Sequence, residues 1–268
     1  MILNGTQYNL PGYARVKIDG RLTYAYNGEE RTPWHVPDDD TNPAWRQSWD
    51  RERLIEWAEV QTVKTIILNV EHWPTEQLGD LNVMLEVIRL ANPALKLAVW
   101  SILPASNYYI LANYAGYRDF KAGKPHNDLP ASWWELPQNG PTFKAAYDGW
   151  RAENTLRAKI LGPHVDALCI SAYPVVEPPA DKLWMGACET ELMIAEAKRQ
   201  CPGKMIFVCW QPHLPGGVVL ASEGYARAVI KPAEKKSNGV IVWTDTHVTP
   251  EQAAATLSMA TKFSTSEE

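Results

Sequence analysis

The sequence Thr-Ile-Ile-Leu-Asn-Val-Glu at residues 65–71 predicts a short buried strand that ends in two polar side chains. Four consecutive apolar or β-branched residues precede Asn69, which favours a strand over a helix. Side chains alternate along a strand, so Asn69 and Glu71 point to the same side. Neither group belongs in an apolar layer without a partner or a chemical task. We therefore interpret Glu71 as a candidate catalytic acid and Asn69 as a candidate positioning group.

Similar apolar runs recur along the chain and alternate with segments of helical periodicity. Further strands are predicted at residues 95–101, 165–173, 204–210 and 239–245. Helices are predicted at residues 48–61, 76–91, 105–117, 142–161, 186–200, 222–235 and 250–262. Continuous apolar strands that alternate with helices are typical of a parallel sheet covered on both faces. In addition, Asp19-Gly20 between two alternating runs predicts a β-hairpin over residues 13–26.

These elements predict an α/β fold, a (β/α) barrel of seven or eight strands with an N-terminal β-hairpin. An open doubly wound sheet is the alternative, although no glycine-rich phosphate loop follows any predicted strand. The chain has 268 residues, enough for one large domain. We predict a single barrel domain over residues 1–263 and a flexible tail at residues 264–268.

Composition and charge limit the partners of the chain. Apolar residues make up 46% and charged residues 21%, the balance of a globular protein. The net charge of -5 argues against nucleic acid and anionic membranes as partners. Residues 1–7 lack the charged and then apolar pattern of a signal peptide, and the four cysteines suggest no disulfide. We expect no nucleic acid, no membrane partner and a cytoplasmic location, and the sequence does not predict the oligomeric state.

The aromatic content is unusual, with twelve Trp and eleven Tyr against four Phe. Trp and Tyr combine apolar faces with polar edges, which suits a sugar-binding surface, although an atypical core would give the same counts. Residues 118–141 form a predicted irregular segment that contains Trp133 and Trp134. Loops of this length on a barrel are usually functional, so we interpret this one as a wall of a substrate cleft. A closely packed surface flap is the alternative.

Polar or aromatic side chains follow all five of these predicted strands, and the C-terminal ends of barrel strands carry the active site in (β/α) barrels. We therefore predict one site at these strand ends. The candidate catalytic residues are Glu71, Asn69, Tyr173 and Asp245. The candidate substrate-binding residues are Trp73, Trp100, Trp210, Gln211, Trp243, Trp133 and Trp134.

Glycoside hydrolysis fits these side chains. It requires a carboxylic acid whose pKa is raised toward neutrality, so that the acid can protonate the leaving oxygen. Apolar aromatic neighbours would desolvate Glu71 and raise its pKa. An amide, Asn69, stands where a second carboxylate would be expected. When the sugar carries a 2-acetamido group, its carbonyl oxygen can attack the anomeric carbon, and Asn69 can orient that group.

Asn69-Val70-Glu71 resembles the strand-end Asn-x-Glu motif of endo-β-N-acetylglucosaminidases that release N-glycans. Residues 69–74 are similar to the Asp-x-Glu-x-Trp stretch of hyaluronidases and to the Asp-x-Glu ending of chitinases, which have Asp where this chain has Asn69. Residues 239–243 resemble the last-strand Gly-Val-Val-Ile-Trp pattern of hyaluronidases and chitinases, in which the Trp forms the floor of the sugar pocket. Those barrels use substrate-assisted, retaining catalysis. The resemblance implies that Glu71 is the acid/base, Asn69 orients the acetamide, Trp243 is the pocket floor and Tyr173 contacts the acetamide.

Other functions remain open. Asp245 could be the second carboxylate of a conventional two-acid glycosidase or of a barrel-type muramidase. The residues His72, His213 and His247 follow strand ends and could hold zinc in a metal-dependent hydrolase, although no two show a familiar ligand spacing. The barrel could also bind carbohydrate without catalysis. For the preferred function we predict an oligosaccharide or polysaccharide substrate, with no cofactor and no metal.

Overall fold

Strands and helices alternate along the chain in the computed structural model. It describes residues 1–6, 8, 10–14, 16–19, 51–70, 73, 75–106, 110, 140–172, 184–211, 222–244 and 248–265. The strands are β1 (Ile2–Asn4), β2 (Lys17–Asp19), β3 (Thr65–Asn69), β4 (Lys96–Trp100), β5 (Ala167–Ala172), β6 (Met205–Trp210) and β7 (Gly239–Val242). The α-helices are α1 (Arg51–Glu59), α2 (Leu78–Ala91), α3 (Gly140–Leu161), α4 (Trp184–Gln200), α5 (Glu223–Lys236) and α6 (Pro250–Thr265). Short 3-10 helices cover Thr75–Gln77 and Gly162–His164.

The seven described strands form one parallel sheet in the order β1-β7-β6-β5-β4-β3-β2. Two main-chain hydrogen bonds also join β1 to the residues just before β2. The Asn4 amide donates to the carbonyl of Ala14, and the Val16 amide donates to the carbonyl of Asn4, both at 2.9 Å. The sheet therefore curls so that its two outer strands approach each other. The predicted (β/α) barrel of seven or eight strands is confirmed.

The predicted elements coincide with the observed ones to within a few residues at each end. Three residues of the predicted helix 105–117 lie in the described part of the chain: Ala105 is in an isolated bridge, Ser106 is outside any helix and Ile110 is helical, so the start of this helix was predicted too early. Strand β2 pairs in parallel with β3, with Ile18 opposite Ile67. The second arm of the predicted hairpin, residues 21–26, lies outside the described residues. Helix α6 continues to Thr265, past the predicted end of the domain.

Alternation along the strands divides the core into two layers. One layer fills the interior of the barrel, and the other lies between the sheet and the helices. The interior layer contains Leu3, Ile67, Ala98, Trp100, Ala167, Cys169, Phe207, Cys209 and Ile241. The outer layer includes Ile66, Leu68, Leu97, Val99, Leu168, Ile170, Ile206, Val208, Val240 and Val242. Because both faces of the sheet are covered, the strands are continuous apolar runs, and full burial of each large aliphatic side chain contributes roughly 1.5–3 kcal/mol.

All four cysteines are buried, and none of them forms a disulfide. Cys169 and Cys209 lie in β5 and β6, as predicted. Cys188 lies in the first half of α4, and Cys201 directly follows that helix, so the helix holds them apart. In the described parts of the chain, no helix is long and apolar enough to span a membrane.

Candidate active site

Asn69 is the last residue of β3 and lies at the mouth of the barrel. Ile67, two residues earlier, is 1% exposed in the interior layer, so strand alternation directs Asn69 to the same side. Asn69 is half-buried, and it lies opposite Trp100 in the register of β3 and β4. The candidate acid, Glu71, comes two residues later, outside the described residues.

Two indoles meet at this end of the barrel. The ring centroids of Trp100 and Trp243 are 5.4 Å apart, and the planes cross at 73°, an edge-to-face contact. Trp100 belongs to the interior layer and is 1% exposed. Trp243 packs against that layer and is half-buried, with its backbone amide donating to the carbonyl of Trp210 at 3.0 Å. The pair therefore lies at the end of the interior layer, with Trp100 buried and Trp243 half-buried.

A chain of hydroxyl groups begins at the buried indole. Trp100 Nε1 donates to Ser171 Oγ at 2.8 Å, and Ser171 Oγ donates to Ser101 Oγ at 3.0 Å. Ser101 Oγ and Ser106 Oγ are 3.2 Å apart and share a further hydrogen bond. All three serines are half-buried. This serine chain, Ser171, Ser101 and Ser106, links the ends of β4 and β5 to the loop that follows β4.

Ser101 has a left-handed backbone conformation, with φ at 62°. A residue with a side chain pays for this conformation, and such strain is concentrated at functional sites. The Ser101 amide donates to the carbonyl of Cys169 at 3.0 Å. This hydrogen bond joins the turn after β4 to strand β5. The strain therefore lies at the position that directs the Ser101 hydroxyl toward Ser171 and Ser106.

Helix α3 fixes the loop after β4 through two buried side chains. Asn154 Oδ1 accepts a hydrogen bond from the Ala105 amide at 2.9 Å, and Trp150 Nε1 donates to the Ala105 carbonyl at 2.7 Å. Asn154 is 0% exposed, and Trp150 is 4% exposed. Both main-chain polar groups of Ala105 are thus satisfied by one helix, which holds Ser106 next to this anchor.

The same helix also fixes the segment that follows Asn69. Arg157 donates from Nε and Nη2 to Glu153 Oε1 at 3.0 and 2.7 Å, and Thr75 Oγ1 donates to the same oxygen at 2.8 Å. Arg157 Nη1 also approaches the Trp73 carbonyl at 3.5 Å. Burial raises the pKa of Glu153, but the hydrogen bonds from Arg157 and Thr75 outweigh it and leave this pKa below its ordinary value. Glu153 therefore remains a carboxylate at neutral pH and holds its two donors.

Other predicted site residues lie in different surroundings. Trp73 is 4% exposed and Trp210 is 0% exposed, and both belong to the outer layer beneath the helices. Gln211 directly follows β6 and is half-buried, with the strand parity of the interior residue Cys209. The remaining candidates lie outside the described residues: Glu71, Tyr173, Asp245, Trp133, Trp134, His72, His213 and His247. Among the residues that are described, no group of three or more His, Cys, Asp or Glu could hold a metal ion.

Several residues that shape this site were not predicted. Ser106 follows a short turn closed by an antiparallel bridge between Ile102 and Ala105, which no sequence periodicity indicates. The sequence does contain a signal for Asn154 and Arg157. They interrupt the stripe of buried residues that runs along α3, and a buried polar residue on an apolar helix face usually has a specific partner.

The fold is similar to known barrels, although neither a protein-family model nor a curated protein sequence matches this chain. The crystal structure of bee venom hyaluronidase matches with a TM-score of 0.56 and 10% identity, over 92% of this chain and 84% of that one. The same enzyme in complex with a hyaluronic acid tetramer matches with a TM-score of 0.46 and 10% identity, over 92% and 83%. A glycoside hydrolase family 5 enzyme from Prevotella bryantii matches with a TM-score of 0.33 and 9% identity, over 93% and 94%. The first of these likenesses establishes a common barrel architecture.

Proposed function

We propose that this protein is a retaining glycoside hydrolase that acts on N-acetylhexosamine-containing glycan, with Glu71 as general acid/base. The observation that carries the proposal is the position of Asn69 at the barrel mouth, on the interior side and opposite Trp100. A strand end of this kind is where (β/α) barrels carry their catalytic groups. The barrel shared with bee venom hyaluronidase supports the same class of reaction.

In the proposed mechanism the substrate supplies its own nucleophile. The 2-acetamido carbonyl oxygen attacks the anomeric carbon while Glu71 protonates the leaving oxygen, and Asn69 orients the acetamide through its side-chain amide. Glu71 then takes a proton from the water that opens the cyclic intermediate, so the configuration is retained. Trp243, half-buried against the interior layer, provides the apolar face under the sugar ring. Tyr173 is the proposed phenol at the acetamide, and Trp133, Trp134 and Gln211 are proposed to line the cleft.

The proposed substrate surface leaves out two of the predicted tryptophans. Trp73 and Trp210 are buried in the outer layer, where they stabilise the contact between sheet and helices. A sugar could reach either indole only if a helix moved away from the sheet. Trp100 is also closed to solvent, so its proposed role is to support Trp243 from below rather than to touch substrate.

The change Glu71→Gln tests the proposal, because it removes the transferable proton and keeps the size of the side chain. We expect kcat for chitin or hyaluronan oligosaccharides to fall by about 10²-fold or more, with oligosaccharide binding retained. The matched control is Glu76→Gln, an exposed carboxyl in the same segment, which should leave kcat unchanged. Full activity of Glu71→Gln would refute the assignment.

A second measurement separates the substrate-assisted route from a two-carboxylate route. A thiazoline analogue of the cyclised N-acetylhexosamine should inhibit the wild-type protein competitively, because it mimics the intermediate formed by the acetamide. The change Asp245→Asn should then lower kcat much less than Glu71→Gln. Loss of activity in Asp245→Asn with no thiazoline inhibition would assign the second carboxylate role to Asp245.

A further inference from the structure

The hydrogen bonds of the serine chain begin at the indole N–H of Trp100, at its buried end. An indole N–H can only donate, so Ser171 Oγ must accept from Trp100 Nε1. The hydroxyl proton of Ser171 is then donated to Ser101 Oγ at 3.0 Å. The hydrogen bonds of the serine chain are therefore donated outward, from the interior layer toward the loop after β4.

The serine chain carries one hydroxyl proton more than its serine–serine hydrogen bonds use. Ser101 and Ser106 each carry one hydroxyl proton, and the 3.2 Å contact between their oxygens uses one of the two, whichever atom donates. In the described part of the chain, neither hydroxyl donates to any further acceptor, although Ser101 Oγ also accepts from Ser171 Oγ. One O–H of the pair thus has no acceptor among the described residues and can donate to a bound ligand. Both serines are half-buried, so a ligand in the mouth can reach them.

The surroundings of this hydroxyl pair favour a sugar as the external acceptor. The ring nitrogen of Trp100 donates to Ser171, and the ring of Trp100 contacts the half-buried Trp243. The serine chain and Trp243 therefore both contact Trp100. A sugar presents an apolar ring face and hydroxyl oxygens at its edge, which match an indole and a hydroxyl donor side by side. The backbone strain at Ser101 (φ 62°) and the anchoring of Ala105 on α3 hold the donor in place.

We propose that the Ser101–Ser106 pair is a substrate-specificity element, which donates one hydrogen bond to a hydroxyl oxygen of the sugar that lies over Trp243. This inference rests on the proposed glycosidase function and adds the residues that select the sugar. The pair positions substrate and transfers no proton in the reaction. Discrimination by such a pair comes from the unpaired O–H that remains when the sugar lacks the matching oxygen.

The test is the double variant Ser101→Gly with Ser106→Ala, which removes both hydroxyls. Glycine at position 101 adopts a positive φ without cost, so the turn keeps its conformation. We expect KM for chitin or hyaluronan oligosaccharides to rise about five- to tenfold, and kcat to change much less. Ser264→Ala, which removes a hydroxyl on α6 that donates to Glu234, is the control and should leave KM unchanged.

A panel of monodeoxy N-acetylglucosaminides distinguishes a loss of sugar specificity in the double variant from a general distortion of its binding site. Wild-type protein should bind one deoxy sugar about five- to tenfold more weakly than the parent sugar, and the double variant should bind both equally. Equal discrimination in wild type and double variant would overturn the inference and leave the glycosidase proposal standing. If the wild-type protein neither binds nor cleaves any of these glycans, the proposed function itself fails.

Discussion

Glu189 in α4 is the described carboxyl group whose ionisation is most disturbed by the fold. Burial raises the pKa of Glu189 to about 7, from an ordinary value of 4.5. Between these two pH values the folded chain keeps a proton that the unfolded chain has released. The stability of the fold therefore decreases as pH rises through this window, and the penalty is complete above pH 7, on the order of 3 kcal/mol.

The change Glu189→Gln should remove this penalty, because an amide of the same size carries no charge at any pH. In urea unfolding at pH 8 we expect the variant to be more stable than wild type by roughly 3 kcal/mol. At pH 4, where both states of wild-type Glu189 are protonated, the gain should be close to zero. Glu52→Gln, on the exposed surface of α1, serves as control. An equal gain at both pH values would contradict the assignment.

At the scale of elements, helix α3 connects the two loops that surround the candidate site. Asn154 and Trp150 hold the loop after β4, while Arg157 and Glu153 hold the segment after β3. The strands alone do not determine where these loops lie. The precision of the mouth therefore depends on one helix that contributes no residue to the proposed chemistry.

Asn154→Ala tests this dependence, because it leaves the Ala105 amide without its acceptor in a buried position. We expect the free energy of unfolding to fall by about 1–3 kcal/mol and amide hydrogen exchange to accelerate in residues 101–106. Leu156→Ala, a substitution at an exposed position on the same helix, should change neither quantity appreciably. Unchanged exchange in residues 101–106 would show that Asn154 does not anchor the loop.

The elements themselves could be predicted because each is marked by an apolar run of the correct length and period. The side of each strand could not be predicted, since a strand buried on both faces shows no polar alternation. Trp210 and Trp243 both stand at strand ends, yet Trp210 shares the parity of the outer layer and Trp243 that of the interior. The partners of Asn154 were equally hidden, because Ala105 is 49 residues distant in the chain.

At the scale of the whole molecule, the place where β1 meets both β7 and the segment before β2 is the seam of the barrel. Gly5 lies at this seam and donates its amide to the Val242 carbonyl at 2.9 Å. A Cβ atom on Gly5 would lie 2.7 Å from Ile241 Cγ2 and 3.1 Å from both Ile18 Cδ1 and the Val242 carbonyl oxygen. The missing side chain is therefore what allows the three segments to approach.

Gly5→Ala should force the seam apart and lower the free energy of unfolding by about 1–3 kcal/mol. Gly79→Ala is the matched contrast, because a Cβ atom there would meet nothing within 4 Å and the residue is inside α2. That change should raise stability by about 0.5–1 kcal/mol. Chemical denaturation of both variants measures the difference. Equal effects of the two substitutions would show that the seam tolerates a methyl group.

The edge contact of Trp100 with Trp243 has a spectroscopic consequence. The electronic transitions of two indoles at this distance are coupled. Trp243 is partly exposed to water, whereas Trp100 is buried. Any molecule that settles on the outer indole alters the coupling, and with it the near-ultraviolet dichroism and emission of the pair. Occupancy of the barrel mouth can thus be followed without a label.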